Sequence, residues 1–129
     1  MPVEVRFEGM DELLRRIAEL GEKGGRIENE ALKEAGEYLA EEIRKEAPRS
    51  KLNREIHLQD DITCSNVKTK DGQKYAEVGP TKETAWRAKF VEFGTVKMRA
   101  NPFMSRAYEK NKGKIQEIIM QKLKEGLGL

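Results

Sequence analysis

Five apolar side chains, Ile27, Ala31, Ala35, Leu39 and Ile43, recur at every fourth position, and Leu32 and Tyr38 widen the stripe. That spacing is helical and predicts an amphipathic helix from about Arg26 to Ala47. At about 1.5 Å per residue it would run for about 33 Å. Pro48 ends it, because proline cannot extend the hydrogen-bond ladder and turns Ala47 away from the helical conformation. A helix of this length with one apolar stripe must bury it against a second layer. In a chain of 129 residues that layer belongs to the same unit, so a single domain over residues 1–129 is expected.

The remaining segments supply the second layer. Val3, Val5 and Phe7 alternate with Glu4, Arg6 and Glu8, which predicts a short strand with one buried face, ended by Gly9. Met10, Leu13, Leu14, Ile17 and Leu20 have helical spacing, with Asp11 and Glu12 in the first turn, where they suit the helix dipole. Gly21, Gly24 and Gly25 are expected to break this first helix. The polar stretch Arg49 to Arg54 reads as a mobile loop. Ile62–Lys70 and Gln73–Gly79 flank Asp71-Gly72, a strong hairpin signal, with Ile62 and Cys64 on one face of the first arm and Ala76 and Val78 on one face of the second. Trp86, Phe90 and Phe93 lie about one helical turn apart and predict a short helix with its aromatics in the core, closed by Gly94. A further strand is possible in the linker that follows. Asn101-Pro102 then opens the last helix, with Asn as N-cap and Pro in the first helical position. Phe103, Ala107, Ile115, Ile118, Ile119 and Leu123 form its apolar side, and Gly126 and Gly128 leave its tail free to fray. The fold class expected is α+β: a small, mainly antiparallel sheet with the long helix and the C-terminal helix packed on one face.

Hydrophobic and charged residues each make up 37% of the chain, and no run approaches the roughly 18 apolar residues of a membrane span. The start, Met1-Pro2-Val3-Glu4-Val5, carries no basic and apolar leader pattern, so a cytosol-made protein without a membrane partner is expected. Charge is unevenly placed. Residues 1–47 hold 8 basic and 13 acidic side chains, a net of −5, whereas residues 48–129 hold 17 basic and 10 acidic, a net of +7. Such halves can be solvated faces, can match one another within a subunit, or can match between copies.

The residue types of common active sites are sparse. One His and one Cys exclude an internal disulfide and a His-rich metal site. Cys64 reads as a buried, inert thiol. Asp60 and Asp61 would point to opposite faces of a strand; in a loop they could cap a turn. A hydrolase or nuclease would have to draw on His57, Asp60 and Asp61. No spacing, Glu55 included, resembles a cation loop, and Gly21, Gly24 and Gly25 lack the strand and Lys of a phosphate loop. No catalytic residue, cofactor or metal is therefore expected, and the chain reads as a non-enzyme. Nucleic-acid binding is the alternative: Lys89, Lys97, Arg99, Arg106, Lys110, Lys112 and Lys114 form a basic run able to neutralise phosphates.

The segment Phe90-Val91-Glu92-Phe93-Gly94-Thr95, followed by Asn101-Pro102-Phe103-Met104-Ser105-Arg106-Ala107-Tyr108, resembles a tailed-phage tail-component family, that of the tenth gene product of phage HK-ninety-seven. Ala47-Pro48-Arg49-Ser50, His57-Leu58-Gln59-Asp60-Asp61-Ile62 and the Leu-rich helix after Gly9 fit the same pattern in the same order. The chain departs from it in lacking a second Pro after Gly94-Thr95, and at Asn101 and Ser105-Arg106.

The resemblance implies a structural virion protein at the head-proximal end of the tail: a tail terminator, tail-completion or head–tail joining protein, encoded by a phage or prophage. It implies a homo-oligomer, a six-fold ring, with tail-tube and head-connector proteins as partners and DNA only in passage. It places the protein in the host cytoplasm during assembly and in the virion afterwards. The family motif and possible subunit interface comprise Phe90, Glu92, Phe93, Gly94, Thr95, Arg99, Pro102, Phe103 and Arg106. Glu92 is expected to pair with Arg99 or Arg106 or to accept backbone N–H groups beside Gly94. Gly94 is expected to adopt an angle other residues resist, and Phe103 to anchor the last helix to the sheet. The Arg49–Arg54 loop and the Val96–Ala100 linker are candidates for ordering only on assembly.

Overall fold

In the computed structural model, which describes residues 2–48 and 57–129, two long helices lie antiparallel against one face of a four-stranded antiparallel sheet. The order is β1 (Val3–Arg6), α1 (Asp11–Ala18), α2 (Glu22–Glu46), a 3₁₀ turn (Leu58–Asp61), β2 (Ile62–Cys64), β3 (Lys68–Lys70), β4 (Gln73–Pro80), α3 (Lys82–Phe93) and α4 (Phe103–Gly126). This is the expected α+β class. The expected loop at Arg49–Arg54 lies outside the described residues.

β4 is central, with β1 along one side and β2 and β3 along the other. Register places Val3 opposite Val78, Val5 opposite Ala76, and Cys64 opposite Val78, so these side chains share the face that α2 covers. Glu4, Arg6, Tyr75 and Glu77 share the other face, where the Arg6 guanidinium lies over the Tyr75 ring. The hairpin turn is the expected one: Asp71 and Gly72 both have positive φ, as a type I′ turn demands. The first arm, however, is interrupted. Between the Cys64–Val78 and Lys68–Tyr75 pairs, β2 and β3 span one residue more than β4 does, which is a β-bulge. Unbroken alternation from Cys64 would drive Lys68 into the core. The bulge turns Lys68 to the outer face, where it meets Glu77. Ser65 holds the gap: its N–H donates to the Glu77 carbonyl and its hydroxyl accepts the Glu77 N–H.

α2 lies close to the sheet because its inner face is small. Ala31, Ala35, Gly36 and Ala40 are fully buried, and a Cβ on Gly36 would collide with the Cys64 sulfur. The basic side chains of α2 also satisfy the free edge of β2. Lys33 donates to the carbonyls of Cys64 and Ser65, and Arg44 to that of Ile62. At the end of β1, Gln116 of α4 accepts the Glu8 N–H and donates to the Arg6 carbonyl. The β2 edge and the end of β1 are thus tied to helices, whereas β3 is exposed and pairs only with β4.

α4 runs beside α2 along its whole length. Glu46 meets Arg106 and Lys110, Tyr38 donates to Asn111, Glu34 meets Lys122, and Gly126 abuts Ile27. The expected fraying at Gly126 is replaced by this contact, because a Cβ there would strike the Ile27 side chain. Phe103 is fully buried, as an anchor must be, although the main partner of its helix is α2 rather than the sheet.

The boundary between α1 and α2 differs from expectation. Only Gly21 breaks the chain, with φ of +62°; Gly24 and Gly25 lie inside α2. Gly24 is needed there for space, since a Cβ would collide with the Ile17 carbonyl where α1 crosses α2. Gly113, exposed in the middle of α4, meets nothing. Chemical denaturation is expected to separate the two. Gly113→Ala should stabilise the fold by about 0.5–1 kcal/mol through helix propensity. Gly24→Ala should destabilise it by about 1–3 kcal/mol, because the clash is with backbone.

Candidate functional site

The residues of the family motif gather around α3, a helix fixed at both ends. At its start, Asp61 Oδ2 accepts the Thr81 hydroxyl at 2.6 Å, the Thr81 N–H at 3.2 Å and the Thr84 hydroxyl. Asp61 therefore acts as a cap, satisfying donors at the helix N-terminus. The Asp60-Asp61 pair sits in the 3₁₀ turn, and the Asp61 carboxylate is engaged in this structural contact.

At the far end of α3, Glu92 is 4% exposed and turns inward. Its carboxylate accepts the N–H of Met104 at 3.0 Å, the N–H of Ser105 at 3.4 Å and the Ser105 hydroxyl at 2.6 Å. These donors belong to the first turn of α4, where backbone N–H groups have no partner in their own helix and the dipole favours a negative charge. The partners are neither of the expected arginines, Arg99 and Arg106, nor the expected backbone N–H groups beside Gly94, but donors at the start of α4. Arg99 is exposed, and Arg106 pairs with Glu46 at 2.9 Å while donating to Asn101 Oδ1. The expected N-cap at Asn101 is displaced accordingly. The helix begins at Phe103, Pro102 occupies the cap position, and Glu92 supplies the capping acceptor from another helix.

Gly94 closes α3 with φ of +78° and ψ of 177°, a conformation open essentially to glycine alone. A Cβ there would lie 2.8 Å from the Ala100 nitrogen and the Met98 oxygen. The linker folds back on the helix: Thr95 and Met98 exchange backbone hydrogen bonds, and Asn101 N–H donates to the Val91 carbonyl at 2.7 Å. The segment expected to order only on assembly is thus a hydrogen-bonded turn in the single chain. It takes the place of a strand in this linker. Val96 stands fully exposed at its tip.

These anchors decide which side of α3 faces out. At 3.6 residues per turn, Thr84, Ala88 and Glu92 form one stripe, and Trp86, Phe90 and Phe93 form another on the opposite side. The first stripe is buried; the second is exposed, at 58%, 47% and 66%. The expectation that these aromatics belong to the core is overturned. Helical spacing shows that three residues share a side, not whether that side is inward. Trp86 and Phe90 meet edge to face, with ring centroids 6.3 Å apart, and the Arg87 guanidinium lies over the Trp86 ring.

The motif therefore divides. Glu92 and Phe103 are buried supports and Gly94 shapes the turn. Phe90 and Phe93 lie outward with Trp86, and Arg106 belongs to the α2–α4 seam. Of the basic run, Arg106 and Lys110 are paired with Glu46 and Lys112 with Glu109, whereas Lys89, Lys97, Arg99 and Lys114 are exposed. A capping role for the Asp60-Asp61 pair is expected from the sequence, but not that Asp61 caps α3 through Thr81 and Thr84. The tie from Glu46 to α4 has no local signal, because its partners lie sixty residues away. Among the described residues, no group of three or more His, Cys, Asp or Glu side chains is placed to hold a metal ion. No helix among them is long and apolar enough to cross a membrane.

Residues 11–94, from the start of α1 to the glycine that closes α3, match the family described as "Bacteriophage HK97-gp10, putative tail-component". The chain belongs to this family of phage tail components. β1 and α4, with Pro102 and Phe103, lie beyond the matched residues. No curated protein and no solved structure matches the chain.

Glu92→Ala leaves the first N–H groups of α4 without an acceptor in a buried place. It is expected to lower stability by about 2 kcal/mol in equilibrium unfolding, with Ser105→Ala costing about half as much. Glu46 makes part of the stability sensitive to acid. Hydrogen bonds from Lys110 and then Arg106 hold its carboxyl below the ordinary value of 4.5. A carboxyl lowered in the folded state stabilises above its unfolded pKa, and that contribution is lost as pH falls through the folded value. Glu46→Gln should therefore flatten the decline of thermal stability below about pH 4.5.

Proposed function

We propose that this tail component acts at the head-proximal end of the phage tail, as a tail terminator, tail-completion or head–tail joining protein. It works by assembling into a ring with copies of itself and catalyses no reaction. The observation that carries this reading is the outward aromatic stripe of α3, held rigid by Asp61, Glu92 and Gly94. Exposed aromatics on a fixed helix are the residue types that anchor protein interfaces. Their rigidity lowers the ordering cost of docking. A closed ring needs two different patches per subunit, and six copies around the tail axis would leave passage for DNA. The tail tube and the head connector are the partners on either side, and the assembled virion is its final location.

A second reading rests on Lys89, Lys97 and Arg99, exposed in the same segment as the aromatic stripe. Basic groups interleaved with aromatics also suit single-stranded nucleic acid. The two readings separate by experiment. Purified protein mixed with tail tubes that lack a terminator should produce rings at one tube end in negative stain and make the tubes competent to join heads. Tubes that stay bare and unjoined would overturn the assembly reading. Binding to oligonucleotides that falls steeply with salt would favour the alternative.

A further inference from the structure

The tight turn at Asp71-Gly72 fixes which way the backbone of β3 points. Lys70 and Gln73 close the hairpin as a hydrogen-bonded pair, and in an antiparallel ladder such pairs alternate with open ones. Lys68 and Tyr75 are therefore bonded, whereas the N–H and C=O of Thr69, opposite Lys74, point away from β4. Glu77 keeps the same phase, since its N–H and C=O both turn to Ser65 on this side of β4. Every residue of β3 is exposed, and no side chain among the described residues reaches the Thr69 backbone. A strand arriving at the β2 edge or at the end of β1 would have to displace Lys33, Arg44 or Gln116. At β3 it would displace no side chain. Beside β3, between α2 and the bulge, lies a groove of about 400 Å³ lined by Asn29, Glu30, Lys33, Asn66 and Val67.

We infer that β3 is the docking edge for an extended, acidic segment of a partner protein, which adds to the sheet as a further strand beside Lys68–Lys70. This surface is separate from the aromatic face of α3, and its use does not depend on the ring reading. Three features set the chemistry of the occupant. First, Thr69 presents one donor and one acceptor in strand geometry, and the main chain of another strand matches them. Second, the side chains that would flank an added strand on the outer face are Lys68 and Lys70. Lys68 is drawn to Glu77, and Lys70 makes no ion pair among the described residues. Side chains directly across a strand pair attract when opposite in charge and repel when alike. A β3 strand from a second copy, antiparallel about Thr69, would set Lys68 against Lys70 twice. The edge therefore disfavours its own copy and favours acids at alternate positions. Third, the side chain between those acids would lie on the face of Thr69 and Lys74, where Lys74 reaches Gly25 and Asn29 of α2. That is the side of the groove, where Val67 packs on the core, so an apolar side chain suits it.

The probe is a synthetic peptide of alternating glutamate and valine, with one of alternating lysine and valine as its control. Amide hydrogen exchange and chemical shifts of the isotopically labelled protein locate the contact. The acidic peptide should slow exchange of the Thr69 amide at least about tenfold. Its shifts should gather at residues 66–70 and at Asn29, and the basic peptide should produce neither effect. Thr69→Pro removes the outward N–H and spares the pairs to β4, so circular dichroism should show it folded. It should bind the acidic peptide about tenfold more weakly. Lys70→Glu keeps the backbone groups and should move the preference from the acidic toward the basic peptide. Unchanged exchange at Thr69, equal binding of the two peptides, or a Thr69→Pro variant that binds like wild type would each overturn the inference. Shifts centred on Lys89, Lys97 and Arg99 would overturn it in favour of α3. Wild-type self-association that Thr69→Pro abolishes would make a second copy the occupant and overturn the acidic partner. The peptide results leave the ring reading untouched, because the joining of tail tubes decides that.

Discussion

A buried carboxylate sets the orientation of the aromatic face of α3. Glu92 lies on the inner side of α3 and accepts hydrogen bonds from the start of α4. Burying a carboxylate is unfavourable unless its acceptor capacity is met, and the unpartnered N–H groups of a helix N-terminus meet it well. With Glu92 inward, the aromatics at Trp86, Phe90 and Phe93 have to face outward. The polarity of α3 is thus the reverse of a surface helix that buries its apolar side. Asp61 at the other end prevents the helix from rolling back.

The rest of the fold provides a platform for that helix. Small residues along α2 let it lie close on the sheet, and α4 completes the layer. Lys33 and Arg44 of α2 and the neutral Gln116 of α4 serve the sheet, and charged side chains of both helices form the seam between α2 and α4. Part of the charge asymmetry is consequently internal, since Glu46 of the acidic half holds Arg106 and Lys110 of the basic half, and Glu34 holds Lys122. What remains exposed includes the basic and aromatic side of α3.

Such an arrangement suits a phage tail component better than a pocket would. Contacts between proteins that must be geometrically fixed favour short helices tied by hydrogen bonds over flexible segments. The folded turn from Thr95 to Asn101 follows the same logic, because it presents Val96 beside the aromatics without requiring the segment to order on contact.

The sequence by itself determined the elements whose signals are local. The long helix, the Asp71-Gly72 hairpin, the alternating first strand and the buried Cys64 all follow from periodicity and turn chemistry over a few residues. The need for glycine at position 94 was legible for the same reason. Tertiary structure alone decided the rest. Gly24 enters α2 because another helix crosses there, Lys68 turns outward because a bulge shifts the register, and Glu46 meets a helix sixty residues away. It also decided that the aromatic stripe faces outward: spacing defines which residues share a side of a helix, but what that side meets depends on where distant capping groups hold it.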